Sequence, residues 1–519
     1  MRFEVVPDGK VDPMAPALIA SHGLAALGSF ARDEDDLDAA RSALEDSLSI
    51  WPGNGTALCR LAELELHHGS YPRARHLLEM AVALPPLTAG CGAELCAGRA
   101  EAVAVASYLH ALLLHLEGRF AEAVPHLRRL GIRHRLAPAV WSAIANKHSP
   151  RPRPCPGRPS LPAPRAPPAV ASYSGVVPPW LLRQLSAAFG PSSPFWHETG
   201  YYERGYFSFW LPRTRREPVH AIEALAHLLL PLTGYAESVV GFEWWVHSKA
   251  SSRALGNRHG HQLHFDTEEG VLYGERELVH PAVSSVLYLT GASVAGPTLV
   301  LDQRHGGAPA SRCHVCQPAD ATVLLFPGDR LHGVCPAAPT TPFAASRPQR
   351  NGRAPPLCST KTLPRRLTLM IGFWTQDIAS RLRRAPLSAC GPMPRASRSC
   401  TWPTLLALDG RDDVSRGYAR GVGECPPSQP TQHTIPEVSP AWEEVTDQIT
   451  DVPGRSEHDG WVMRRAGSSD APSRGTSLLR VPDERNNHFF VTAKRIADEF
   501  AFDHLGEPST STGLCDDSC

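Results

Sequence analysis

The sequence has no excess of charge of either sign. Its 52 Lys and Arg balance 52 Asp and Glu over 519 residues, which removes any general electrostatic ground for binding nucleic acid or an anionic membrane surface. It also has no long apolar run. The best candidate, Ala102 to Leu116, is broken by Ser107, Tyr108 and His110 and falls short of the ~18 residues a membrane span needs. The opening MRFEVVPDGK has no charged stretch leading into an apolar segment, so a secretory route is not expected and a cytoplasmic or nuclear location is. Thirteen cysteines, an odd number, fit free thiols rather than a disulfide framework. No second CxxC accompanies Cys313-His-Val-Cys316, so that pair reads as structural and not as half a zinc site.

Proline is what the chain has in excess, 50 residues against 41 Gly, and the excess is concentrated in segments rather than spread. The length allows roughly three domains at ~150 residues each.

The first segment repeats itself. In Ala57 to Pro86, apolar or small residues recur at Leu61, Ala62, Leu64, Ala74, Leu77, Leu78 and Ala81 around a break at Gly69, the pattern of two amphipathic helices facing each other. Thirty-four residues earlier stand Leu37 for Tyr71, Ala40 for Ala74, Ser47 for Ala81 and Pro52 for Pro86. A third unit, Tyr108 to Ile132, restores the order around Gly118, Phe120 and Ala123, but 49 residues on from Gly69. This spacing resembles the tetratricopeptide repeat, and it implies a helical array over residues 21–147 whose groove offers a site to a protein or peptide; the alternative is a purely packing or dimerising surface. His67, His68, His110 and His115 lie among these helices and read as structural. Residues 148–179 then form a Pro-rich linker: Pro150 to Pro168 holds nine prolines and no acid, which suits an extended spacer, with Pro159, Pro162 and Pro164 as an alternative Pro-x-x-Pro partner motif.

From Phe242 onward the pattern changes to short β-branched and aromatic runs, FEWWVHS, HQLHFD, SSVLYLT, PTLVLD, ATVLLFPGD and LTLMIGFW, separated by turn residues. Such spacing predicts an all-β barrel or sandwich. His264 and Asp266 are two apart at the end of one predicted strand and therefore project to one face. His332 follows another strand, in PGDRLHGV. Two imidazoles and a carboxylate leave open positions on a metal, the donor set associated with non-haem Fe(II) oxygenases. His259 and His261 compete with His264, but strand parity favours His264.

The order of these pieces, with Gly296-Pro297-Thr298 after Leu287-Tyr288-Leu289-Thr290 and with Arg366-Leu-Thr368 opening the last strand, resembles the 2-oxoglutarate- and Fe(II)-dependent dioxygenases of the prolyl-hydroxylase-like branch. The resemblance covers residues 180–380. It implies a double-stranded β-helix (jelly roll) with supporting helices, so that the whole is an α+β multidomain chain. It implies Fe(II) on His264, Asp266 and His332, and 2-oxoglutarate bound through its far carboxylate by Arg366 and Thr368, with Tyr288 reaching the cosubstrate and ascorbate as a candidate reductant. The implied reaction is hydroxylation of a protein or peptide side chain such as proline. Arg365 competes with Arg366; the basic residue two before a Thr favours Arg366. Arg366 lies 34 positions beyond His332, farther than the family pattern, which a Pro-rich insertion at 336–361 accounts for.

Tyr201, Tyr202 and Trp210 are candidates for a substrate mouth, with core packing as the alternative, and a helix is expected from Val219 to Leu230. Residues 381–519 show no sustained periodicity and read as a poorly ordered extension with a late helix at Val491 to His504. Two other function classes stay open: a catalytically inactive scaffold working through the repeats, and a cupin-type metal barrel that has no need of Arg366.

Overall fold

Alanines decide how the N-terminal helices meet. Ala40, Ala57, Ala62, Ala74, Ala81, Ala104, Ala106 and Ala111 are all fully buried, and side chains this small let neighbouring backbones approach while the leucines between them fill the remaining space. The computed structural model describes residues 15–33, 37–68, 70–85, 93–132, 134–145, 169–201, 207–214, 217–249, 261–268, 278–290, 296–305, 307–335, 366–378, 390–408, 430–445 and 490–491. These divide into two units, one up to Pro138 with Glu443 onward and Phe490–Val491, the other from Ala139 to Trp442.

The first unit consists of α1 (Ala15–Asp33), α2 (Leu37–Ile50), α3 (Gly55–His68), α4 (Tyr71–Val82), α5 (Ala93–Leu116) and α6 (Phe120–Arg129), with a short strand β1 (His134–Leu136). Consecutive helices pack against each other. Asn54 locks the first junction: its Oδ1 accepts the Ala57 amide at 3.1 Å, capping α3, while its Nδ2 donates to the Ser21 and Ser47 hydroxyls at 3.0 and 3.2 Å. The helical array expected at the N-terminus is therefore present.

The second unit begins with α7 (Pro138–Ala145) and is rich in strands: β2 (Ala171–Ser174), β3 (Ser208–Pro212), β4 (Gly241–Lys249), β5 (His261–His264), β6 (Val283–Thr290), β7 (Thr298–Leu301), β8 (Cys313–Cys316), β9 (Thr322–Pro327), β10 (His332–Val334), β11 (Arg366–Trp374), β12 (Cys390–Pro392), β13 (Thr431–Thr434) and β14 (Glu437–Val438). Helices α8 (Pro179–Ala188), α9 (Phe195–Glu198) and α10 (Ala221–Leu229) accompany them. One sheet has the order β12-β3-β4-β11-β6-β9-β2-β13, the other β14-β8-β7-β10-β5. A third, small sheet places β1 between β15 (Trp442–Glu444) and β16 (Phe490–Val491).

Alternation along the central strands separates two environments. On β11, Leu367, Leu369, Ile371 and Phe373 join Phe242, Trp244 and Val246 of β4 and Leu287 of β6 in a core shared with Leu181, Leu185, Leu225 and Trp402. Each fully buried apolar side chain of this kind contributes about 1.5–3 kcal/mol. The opposite face carries Trp245, Val286, Tyr288, Phe326 and Met370, packed against Val300 of β7 and Cys316 of β8. The two sheets thus face each other across this second core, and the polar residues of β11 open into the space between them.

Three expectations need correction. Ala171–Ser174, assigned above to the linker, is a strand between β9 and β13, because Ala171 and Tyr173 are buried apolar positions that two neighbours can pair. The region after residue 380 is not uniformly irregular: β12 adds to β3 in parallel, β13 and β14 extend both sheets, and Trp402 is buried in the larger core. The late helix is not found at its proposed start, where Val491 pairs with His134 in a strand; residues 492–504, the linker prolines and the insertion at 336–361 lie outside the described residues. The helix predicted at Val219 to Leu230 is found as Ala221–Leu229. Among the described residues, no helix is long and apolar enough to cross a membrane.

Candidate functional site

Strands β5 and β10 pair so that His332 stands directly opposite His264. Their rings lie 4.3 Å apart between centroids. Asp266 follows β5 rather than ending it, and it is held in place from the facing sheet, where Ser284 of β6 donates its hydroxyl to Asp266 Oδ2 at 2.5 Å. That leaves Oδ1 pointing at the imidazoles, 3.7 Å from His264 Nε2 and 3.4 Å from His332 Nε2. The His332 Nδ1–H donates to the Arg330 carbonyl at 3.0 Å, which fixes the tautomer that presents Nε2 to the site.

A tight turn delivers His332. After β9 the chain passes Gly328, where a Cβ would sit 2.1 Å from the Pro281 carbonyl oxygen, so only glycine allows so close an approach. Leu331 then ties into the sheet, donating to the Gln303 carbonyl and accepting from the Leu301 amide.

The three ligand atoms lie within 4.8 Å of one another. Atoms bound ~2.1 Å from a common cation would stand ~3.0–3.4 Å apart, so a small inward adjustment suffices. Two imidazole nitrogens and one carboxylate suit a divalent first-row transition metal, and the residues fit such an ion. Electrostatics agree. Burial alone would raise the Asp266 carboxyl, but His332, His264 and the Ser284 hydroxyl prevail and hold it well below the usual range. Burial would lower His332, yet the Asp266 charge lifts it above its ordinary value. The Asp266 carboxylate is thus held ionised beside the two imidazoles.

One cavity contains these ligands and is also lined by Arg366, Thr368, Thr298, Met370, Trp245 and His247. Arg366 and Thr368 share a face of β11. Arg366 is only 6% exposed; its guanidinium donates to the Gly296 carbonyl at 3.1 Å and to Thr298 Oγ1 at 3.4 Å, and lies over the Tyr288 ring at 5.4 Å. Among the described residues no carboxylate pairs with it. A buried guanidinium stays charged, and without a counter-ion it is costly unless an anion arrives.

Tyr288 differs from the expectation. It does not line the cavity, and its hydroxyl donates to Thr298 Oγ1 at 2.8 Å. Thr298 therefore accepts from both Tyr288 and Arg366, which leaves its own hydrogen free to be donated into the cavity. The sequence reading named Thr298 within Gly296-Pro297-Thr298 but gave it no role at the site, over which the register Val334↔Thr298 brings it; it missed Ser284, which is recognisable only once the strands are paired. His247 could have been found from β4 alternation, since Thr368↔His247 are direct partners. Tyr201 bonds His247 Nδ1 at 3.1 Å through its hydroxyl. Trp210 packs with Val279, Trp374, Ile378 and Cys390 away from the cavity. Tyr202, His259 and Arg365 lie outside the described residues. Cys313 and Cys316 are free, buried thiols on β8.

The comparisons bear on the first unit. Residues 31–87 match the tetratricopeptide repeat family. The match spans α2, α3 and α4, the segment in which the 34-residue spacing was read. Repeats of this kind commonly mediate protein interactions. No curated protein matches the chain.

Proposed function

We propose that the second unit is a 2-oxoglutarate- and Fe(II)-dependent dioxygenase of double-stranded β-helix type, acting on a protein or peptide side chain. The observation that carries this reading is the conjunction, in one cavity, of a His264/Asp266/His332 donor set and a buried Arg366 with no carboxylate partner among the described residues. A metal site alone would leave the uncompensated guanidinium unexplained. A dicarboxylate that chelates the metal at one end and pairs with Arg366 at the other accounts for both.

In this reading His264, Asp266 and His332 hold Fe(II), and Arg366 receives the far carboxylate of 2-oxoglutarate, with Thr368 and Thr298 as hydroxyl donors. Bound iron and cosubstrate would supply the oxidising chemistry: dioxygen is the oxidant, one of its atoms entering the substrate C–H bond as the hydroxyl and the other entering succinate as 2-oxoglutarate loses carbon dioxide. The chain's own residues bind and orient. Ser284 keeps the Asp266 carboxylate turned towards the ligands, and the Arg330 carbonyl keeps His332 in its coordinating tautomer. Trp245, Val286, Phe326 and Met370 keep the cavity apolar around these polar groups, which strengthens the electrostatic attraction of the dicarboxylate. The tetratricopeptide-like array supports a protein or peptide as substrate.

The test is an anaerobic titration with Fe(II) and 2-oxoglutarate, following the visible metal-to-ligand charge-transfer band, beside a His264→Ala control. A band that requires both additions and vanishes in the control is the expected result. Folded, iron-loaded protein without the band would overturn the proposal.

A further inference from the structure

Helix α1 carries no Lys, Arg, Asp or Glu from Ala15 to Ala31. One of its faces is accounted for by α2. Ser21, Ala25 and Gly28 are buried, the Ser21 hydroxyl donates to the Ser47 carbonyl at 2.9 Å, and a Cβ at Gly28 would stand 2.8 Å from Leu44 Cγ and 3.0 Å from the Ala40 carbonyl oxygen, so this glycine lets the two helices close. The other face has no such partner. Ile19, Ala20, Gly23, Ala26 and Leu27 are exposed, and at ~100° per residue they fall within one sector of ~120°. Ile19 at 49% and Leu27 at 55% are the most exposed large apolar side chains among the described residues. An uncharged apolar stripe in water marks a contact, and the end of a repeat array needs a polar outer face unless something covers it. Gly23 adds a separate observation. Glycine inside a helix weakens it relative to alanine, yet a Cβ at Gly23 would meet nothing within 4 Å among the described residues, so the packing of the array does not ask for its smallness.

We propose that this face of α1 is a homodimer contact, in which α1 packs antiparallel against α1 of a second copy about a two-fold axis at Gly23. The face reads the same in both directions. Ile19 and Leu27 stand one turn before and after Gly23, and Ala20 and Ala26 lie symmetrically between them. A two-fold contact requires that when residue i meets j, j meets i. Here Ile19 meets Leu27 of the partner subunit, Ala20 meets Ala26 of the partner subunit, and the two glycines meet on the axis, where the missing Cβ lets the backbones approach and the large side chains close over the ends. A second copy is also the occupant that the charge pattern fits. It brings no ionic group to be desolvated, whereas the stretch of chain ahead of α1 would bring Arg2, Glu4, Asp8, Lys10 and Asp12. A contact of about two turns of helix is smaller than the ~800 Å² per partner of a standard interface, so the dimer is reversible and depends on concentration. This is the dimerising use of the array, and it does not rest on the dioxygenase reading of the second unit.

The experiment is analytical ultracentrifugation of the full chain at increasing concentration, as wild type and as two variants, Ile19→Lys and Leu27→Glu. Both positions are exposed, so neither substitution disturbs the buried packing, and circular dichroism checks that the helices are retained. The wild-type chain is expected to pass from monomer to dimer. Each variant alone sets an unpaired charge against an apolar side chain and should weaken the dimer roughly tenfold or more. An equimolar mixture of the two should recover it, because the antiparallel contact then places the new lysine of one copy against the new glutamate of the other and keeps Leu27 on Ile19 at the opposite end. A wild-type chain that stays monomeric, variants that associate as well as the wild type, or a mixture no more associated than its parts would each overturn the proposal; a parallel pairing gives the last of these, since like positions would then meet.

Discussion

Arg366 is the residue on which the cosubstrate reading turns. Replacing it with Met removes the only guanidinium among the described residues that line the cavity. A buried charge pair broken on one side typically loses ~2–5 kcal/mol, so the affinity for 2-oxoglutarate should fall by roughly 30-fold or more, with Fe(II) retained and the melting temperature of the ligand-free protein not lowered, since an unpaired buried charge is removed. Unchanged 2-oxoglutarate affinity would favour a metal barrel with other chemistry. Thr298 supplies a finer distinction. Its Oγ1 already accepts from Tyr288 and Arg366, so Thr298→Val removes a donor to the carboxylate. A hydrogen bond to a charged group contributes ~1.5–3 kcal/mol, which corresponds to a loss of about tenfold to a hundredfold in affinity by the same charge-transfer titration. Tyr288→Phe should cost far less, because its hydroxyl serves Thr298 rather than the cavity. A larger loss for Tyr288→Phe than for Thr298→Val would mean that the tyrosine is the direct donor.

At the scale of elements, the turn after β9 is the most demanding piece of backbone near the site. Adding a Cβ at Gly328 presses on the backbone of Pro281, which cannot yield as a flexible side chain would. Gly328→Ala should destabilise the second unit by about 1–3 kcal/mol, read as a lower denaturation midpoint, and should displace His332, four residues on, enough to weaken metal binding; an unaltered midpoint would show that the turn relaxes freely. The sequence reading ran PGD into the strand ATVLLFPGD, whereas β9 ends at Pro327; the long strands β4, β6, β9 and β11 were legible, because their alternation runs over six to nine residues. Among the strands that went unread are β2, β8, β12, β13 and β14, of two to four residues each. So short a segment shows no period, and its strand character comes from partners distant in sequence, as Ala171 gains from Leu325 and Thr434. The donor set was legible for a different reason. His264 and Asp266 are neighbours in the chain, while the roles of Ser284 and Thr298 are created by pairing that no local pattern announces.

For the whole molecule, the two units differ in how they respond to acid. In the helical array, burial, the largest cause for each, pushes His110 and His126 down to about 4 and His115 to about 3. Unfolded histidine titrates near ~6.5, so below that pH the unfolded chain binds protons that the folded array refuses. The array therefore loses stability as pH falls from about 6.5, and goes on losing it until the folded values are reached. In the second unit the signs are mixed. Burial lowers His227 and His314 in the same way, but His332 is raised beside Asp266, and its contribution is present below the unfolded value and lost only as pH rises through the folded one. Thermal melts of the full chain in chelator, followed by circular dichroism, should show a helical transition that moves steadily down between pH 6.5 and 4. His115→Gln should flatten that slope. His115 is the deepest of the three, with its Nδ1–H donated to the Ala111 carbonyl at 2.7 Å, and a neutral amide can make the same bond without a proton to gain. An unchanged slope in His115→Gln would assign the acid sensitivity to the His110–His126 pair, whose rings lie 4.4 Å apart and which burial depresses together.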